Sequence, residues 1–183
     1  MNPIILKRKV NNIPLLEVVL TELRAEKIPI IIYYHGWQTS KELVLTQGRK
    51  FAKQGFRVLL PDAMNHGERK QVVSAIPSFT FWNSIYGNLF EFETLLKHLE
   101  KRDVLHEKVA VGGVSMGGVT TCALLTKHPH LVGGICLMGS PAPEQYAKEI
   151  YKRAHQYQYI LPNDYFDLIS WVEKYDYLCS QKN

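Results

Sequence analysis

Long hydrophobic runs are missing from this 183-residue chain. No apolar stretch approaches the ~20 residues of a bilayer span, and no N-terminal stretch has the apolar h-region of a secretory signal. Cysteine is scarce. The three present, Cys122, Cys136 and Cys179, cannot pair completely and have no metal-ligand spacing, and two of them lie in apolar, core-like segments. A disulfide framework and a zinc module are thereby excluded, and a reducing cytoplasm is the expected setting. Concentrated charge is absent too. The net charge of +5 is scattered over the length, its densest cluster being Lys7-Arg8-Lys9 in a strand-like stretch, which reads as a solvated face. With no basic amphipathic helix and no interleaving of aromatic and basic residues, neither nucleic acid nor a membrane is an expected partner. There is no internal repeat and no low-complexity segment. What remains, 46% hydrophobic and 21% charged, suits one well-buried core and is too short for two comfortable domains.

The pattern along the chain alternates. After two N-terminal strands, about 4–10 and 15–20, the expected order is strand 29–34, helix 40–54, strand 56–60, helix 79–101, strand 108–111, helix 116–127 and strand 133–138. Such alternation predicts an α/β fold, a mostly parallel sheet with helices on both faces and right-handed crossovers. The long helix is written most clearly, since Trp82, Ile85, Leu89, Phe92, Leu96 and Leu99 recur at helical spacing and form one apolar stripe. Those residues are core.

One pentapeptide bears on chemistry. Gly113-Val114-Ser115-Met116-Gly117 directly follows the apolar run Val109-Ala110-Val111 and directly precedes a helix-like stretch, the context of a nucleophile elbow of the G-x-S-x-G type. A glycine-rich turn with an incidental serine is the bland alternative, and the strand-turn-helix context argues against it. An acyl-transfer serine needs two backbone N–H donors, one from the residue after it and one from a loop after an earlier strand. Met116 supplies the first candidate. Trp37 supplies the second, because the buried strand 29–34 ends in His35-Gly36-Trp37. Strand 56–60 likewise runs into the polar loop Pro61-Asp62-Ala63-Met64-Asn65-His66-Gly67-Glu68-Arg69, at the sheet end where open α/β sheets bind ligands.

Tyr34-His35-Gly36-Trp37, Leu60-Pro61-Asp62-Ala63 with His66-Gly67-Glu68-Arg69, Gly113-Val114-Ser115-Met116-Gly117-Gly118 and Met138-Gly139-Ser140-Pro141 together resemble the bacterial esterase branch of the α/β-hydrolase superfamily. The likeness is to prolyl-oligopeptidase-type and dienelactone-hydrolase-type domains and covers about residues 1–176. It implies a Ser-His-Asp hydrolase with no metal or organic cofactor, with Ser115 at the nucleophile position and Trp37 and Met116 at the oxyanion positions. The implied substrate is a small-molecule ester.

The chain departs from that pattern after the serine. The acid and the histidine should follow Ser115 in that order on two further strand ends, yet the stretch 143–183 reads as two amphipathic, aromatic-rich helices. A core over 1–141 and a lid-like segment over 142–183 of the same domain are expected, with the last strands of the sheet missing as in a truncated chain. Its aromatic residues Tyr146, Tyr151, Tyr157, Tyr159, Tyr165, Phe166 and Trp171 suggest an apolar acyl or alcohol moiety, although such residues more often pack than line pockets.

No triad assembles from what is present. Glu144 and His155 would share a helix face but stand ~16 Å apart along its axis, and Glu149 and His155 would point to different faces. His128 and His130 lie ~20 Å from Ser115, beyond the far end of the helix it opens. His35 and His66 remain as pocket candidates at the correct sheet end, where a structural role is the commoner one for a histidine. Two readings stay open: a serine esterase, or a truncated or degenerate hydrolase that is weakly active or only binds. If the sheet stops at the strand near 134–138, that strand is a parallel edge that 142–183 is expected to shield only partly, so marginal stability, aggregation or self-association edge-to-edge is expected.

Overall fold

The computed structural model describes residues 2–71, 73 and 77–158. Strands β1 (Pro3–Val10) and β2 (Ile13–Leu20) form an antiparallel hairpin whose tight turn uses Asn11 at φ 51°, a left-handed conformation that asparagine tolerates. β3 (Ile30–Tyr34), β4 (Arg57–Pro61), β5 (Val109–Val114) and β6 (Gly133–Leu137) follow, and the six strands lie in the order β1-β2-β4-β3-β5-β6. β2 meets β4 antiparallel; the other three pairs, β4 with β3, β3 with β5 and β5 with β6, are parallel. This is the expected mostly parallel sheet.

The described α-helices are α1 (Leu45–Lys53), α2 (Pro77–Lys101), α3 (Met116–Lys127) and α4 (Pro143–Gln156). The period of two in β3 shows how the sheet is covered. Ile30, Ile32 and Tyr34 pack in one cluster with Leu89, Phe92, Leu95 and Leu99 of α2 and Ala123 and Leu124 of α3, while Ile31 and Tyr33 pack on the other side with Val44 and Ala52 of the α1 region. On α2 the centre of the buried face runs through Leu95 rather than Leu96, which is only partly buried. The expected helix over 40–54 is α-helical only from Leu45; its start is a tighter 3-10 turn, Lys41–Val44, where the Lys41 N–H is drawn to Asp62 Oδ1 at 2.9 Å.

The basic cluster near the N-terminus is not wholly solvated as expected. Lys7 and Lys9 point outward, but Arg8 turns in to Glu17, a fully buried carboxylate that Arg57 and Arg102 also engage. Burial works against the charge on Glu17, and the hydrogen bonds from Arg102 and Arg8 outweigh it and hold the carboxyl below its ordinary value. Arg57 adds bonds to the carbonyls of Leu23, Arg24 and Glu26, tying the chain ahead of β3 to the start of β4.

The sheet is bare on one side among the described residues. β6 pairs only with β5, and Val132, Leu137 and Met138 are 62%, 46% and 84% exposed. α4 does not cover it. Its Ala147 is buried among Trp82, Met116 and Val119, and its Tyr146 packs on Phe81 and Trp82, which seats α4 over the starts of α2 and α3. The remainder of the expected lid, including Tyr159, Tyr165, Phe166 and Trp171, lies outside the described residues.

Candidate active site

Ser115 is the residue between β5 and α3, and its backbone is forced there. Its φ of 55° and ψ of −114° place a non-glycine residue outside the ordinary allowed regions, at a cost of about 1–3 kcal/mol that only surrounding structure sustains. That support is visible on each side. The Ser115 N–H donates to the Leu137 carbonyl of β6 at 2.7 Å, and the Ser115 carbonyl accepts from the Val119 N–H at 3.0 Å. Strand and helix approach so closely that a Cβ on Gly117 would lie 2.2 Å from the Tyr34 carbonyl oxygen, and one on Gly113 would lie 2.3 Å from the Gly117 carbonyl carbon. Glycine is required at both positions.

The loop after β3 reaches this turn. A Cβ on Gly36 would stand 3.6 Å from the Ser115 Cβ, an ordinary contact, so the loop lies against the serine at Gly36, the residue before Trp37. Met116, the first residue of α3, has no intrahelical acceptor for its N–H, and the positive end of the helix dipole adds to its pull on an anion. The Ser115 hydroxyl itself has no hydrogen-bond partner among the described residues.

His35 is fully buried, and both its ring nitrogens are engaged. Nε2 accepts the Ala63 N–H at 2.9 Å, so the proton sits on Nδ1, which donates to the Gly36 carbonyl at 2.8 Å and lies 3.1 Å from Thr39 Oγ1. Burial pushes its pKa down to about 4, leaving a neutral ring that clips the loop after β3 to the loop after β4. His66 is also buried. Its Nδ1 donates to the Met64 carbonyl at 2.9 Å, and its ring packs against His35 and Trp37 at centroid distances of 5.5 and 5.0 Å, with burial again lowering its pKa. Trp37 continues the wall through Phe81, which meets Trp82, and both touch Tyr146 of α4.

Behind this wall stands a charged clasp that sequence reading missed. Asp62, fully buried at the end of β4, accepts the Lys41 N–H at 2.9 Å, the Lys41 ammonium at 2.7 Å and the Glu68 N–H at 3.0 Å. Lys41 Nζ also donates to Glu68 at 2.7 Å. Burial works against the ammonium, but these acceptors hold its pKa above the ordinary lysine value. Gly67, at φ 55°, leaves no room for a Cβ, which would fall 2.1 Å from the Asp62 carboxyl. Arg69 closes the loop, donating to the Asp62 carbonyl and, through two nitrogens, to Glu91 of α2. The one signal in the sequence was Pro61-Asp62 at a strand end. Nothing marks Lys41, whose partners are distant along the chain.

No acid–histidine pair among the described residues stands at Ser115 in the geometry that orients a base. His35 Nε2 is 4.0 Å from Asp62 Oδ1 but already engaged, and the His128–Glu93 pair, at 3.4 Å, lies at the far end of α3. Glu144 and His155 do share α4 as expected, where Glu144 pairs with Lys148 and Glu149 with Arg153. No group of three or more metal-ligating side chains is found among the described residues, and no described helix is long and apolar enough to cross a membrane. A cleft of about 530 Å³, lined by Gln38, Thr39, Ser40, Glu42, Leu43, Gly67 and Lys70, opens beside the two loops and does not include Ser115.

The family model for the alpha/beta hydrolase fold matches residues 29–174, from the start of the first parallel strand past the Ser115 turn. The chain belongs to the alpha/beta hydrolase fold family. Among curated relatives it is 36% identical to "Putative esterase YitV" of Bacillus subtilis (strain 168) over 72% of this chain and 52% of that protein. It is 31% identical to Esterase YjfP of Escherichia coli (strain K12), over 73% of this chain and 54% of that one. The chain thus spans about half the length of the curated relatives it matches. The dienelactone hydrolase-like promiscuous phosphotriesterase P91 from metagenomic libraries shares the fold, with a TM-score of 0.63 at 17% identity, covering 78% of this chain and 62% of that one.

Proposed function

We propose that this chain belongs to a serine hydrolase of carboxylic esters that transfers an acyl group to water through Ser115. The observation that carries the reading is the Ser115 backbone, held at φ 55° at the head of α3 between two glycines that tolerate no side chain. In this reading the turn is a nucleophile elbow. Ser115 Oγ attacks the ester carbonyl, the developing oxyanion accepts the N–H groups of Met116 and Trp37, the alcohol leaves, and water then releases the acyl group. His35, with both ring nitrogens engaged, does not act as the general base in this reading. His66 and the aromatic wall of Trp37, Phe81, Trp82 and Tyr146 line the approach and favour an apolar acyl or alcohol moiety, with 142–183 acting as a lid on the 1–141 core. The setting proposed is cytoplasmic, and the bare β6 edge is read as a self-association surface, which sedimentation would register as a dimer.

A fluorophosphonate probe with turnover of short-chain p-nitrophenyl esters tests the assignment. Labelling and turnover should both vanish in Ser115→Ala. Labelling of another serine in the unchanged protein would sink it. The second reading, a degenerate hydrolase that binds without turning over, is favoured by one observation, a Ser115 hydroxyl with no hydrogen-bond partner among the described residues. It predicts ester binding with no labelling and no turnover beyond the ~10³–10⁴-fold over water that an oxyanion hole and binding supply without a complete triad.

A further inference from the structure

Cys122 and Cys136 face each other across the seam between α3 and β6. A Cβ on Gly134 would meet the Leu125 and Thr121 side chains, so that side of β6 faces α3; the period of two puts Cys136 on the same side. The Cys136 sulfur is seated 3.1 Å from where a Gly118 Cβ would stand and 2.8 Å from where a Gly139 Cβ would stand. Gly118, Thr121, Cys122 and Leu125 are spaced as one helix stripe, so Cys122 lies one turn beyond the glycine that cradles the Cys136 sulfur. Both thiols are free, Cys122 buried and Cys136 exposed.

We propose that this pair is an oxidation site, in which hydrogen peroxide converts the two thiols into a Cys122–Cys136 disulfide that staples α3 to the edge strand. The exposed Cys136 thiolate attacks one peroxide oxygen; the O–O bond breaks, hydroxide leaves, and Cys136 becomes a sulfenic acid. The Cys122 thiol loses its proton and attacks that sulfur; the S–O bond breaks, and hydroxide departs with the proton as water. Burial pushes the Cys122 thiol up to about 12, and the charge of Cys136 adds to the effect. The bond would join the helix that begins at Met116 to the strand whose Leu137 carbonyl holds the Ser115 N–H. It is a redox staple directly behind the serine turn.

The test is oxidation of the reduced chain with a small molar excess of hydrogen peroxide, followed by tryptic mass spectrometry and thermal unfolding. Trypsin cuts after Lys127, between the two cysteines, so the expected product is two peptides joined by a bond that dithiothreitol releases, together with a rise in Tm of several °C. Cys136→Ser, a change at an exposed position, should abolish both. Cys122→Ala should leave the joined peptides absent and drive Cys136 on to sulfinic acid. Sulfinic acid at Cys136 with Cys122 present and still reduced, a disulfide through Cys179 instead, or a joined product with Tm unchanged would each overturn the proposal.

Discussion

Gly117→Ala puts the architecture of the serine turn to a direct test. The added Cβ would lie 2.2 Å from the Tyr34 carbonyl oxygen, 2.7 Å from its carbon and 2.8 Å from the His35 carbonyl oxygen, all inside the 3.0 Å that real Cβ atoms respect. Every one of those atoms is backbone of β3 or the loop it enters, so no side chain can swing aside. The first turn of α3 must move instead, by ~1 Å, and a misplacement of that size costs on the order of 10²-fold in rate, about 2.7 kcal/mol of barrier. Overpacking adds roughly 1–3 kcal/mol of lost stability, a Tm drop of about 2–4 °C per kcal/mol at this size. Gly36→Ala is the control, because its Cβ meets nothing closer than 3.5 Å; its stability should stay within ~0.5 kcal/mol. The assays are thermal unfolding and the rate of Ser115 modification by the fluorophosphonate probe. A Gly117→Ala protein with unchanged Tm and unchanged labelling rate would refute the close approach of α3 to β3 on which the candidate oxyanion site depends.

Asp62→Asn removes the buried anion that faces the Lys41 ammonium and should destabilise the chain by about 3–5 kcal/mol, seen as a lower urea midpoint. Adding Lys41→Met should recover part of that loss, and a double variant no better than the single one would contradict the clasp. His35, held neutral by burial with a folded pKa of about 4 against 6.5 in the unfolded chain, binds no proton between those values while the unfolded chain does. Stability is therefore complete above pH 6.5 and falls as pH drops toward 4, by roughly 3 kcal/mol. Urea titrations at several pH values should record that fall, and His35→Gln should flatten it; an unchanged slope would assign it to other groups.

What was legible in the sequence was what is encoded locally. The alternation of buried strands with helices over 29–138 required a mostly parallel sheet, and the stripe on α2 was visible because a helix face recurs every three or four residues. The serine turn was legible for the same reason, since the glycines that make it sterically feasible sit two residues either side of Ser115. Strand order was not local. β4 lies between β2 and β3, an arrangement that depends on pairing edges far apart in the chain. His35 is the sharpest case, because whether its ring is free is decided by the N–H of Ala63, 28 residues away. Arg8, Lys41 and Glu17 likewise look like surface residues until distant partners arrive. Local backbone and periodic demands were thus determined by sequence alone, whereas the partners of buried polar groups were decided only by tertiary structure, because a hydrogen bond or ion pair depends on proximity in space, and spacing along the chain does not encode it.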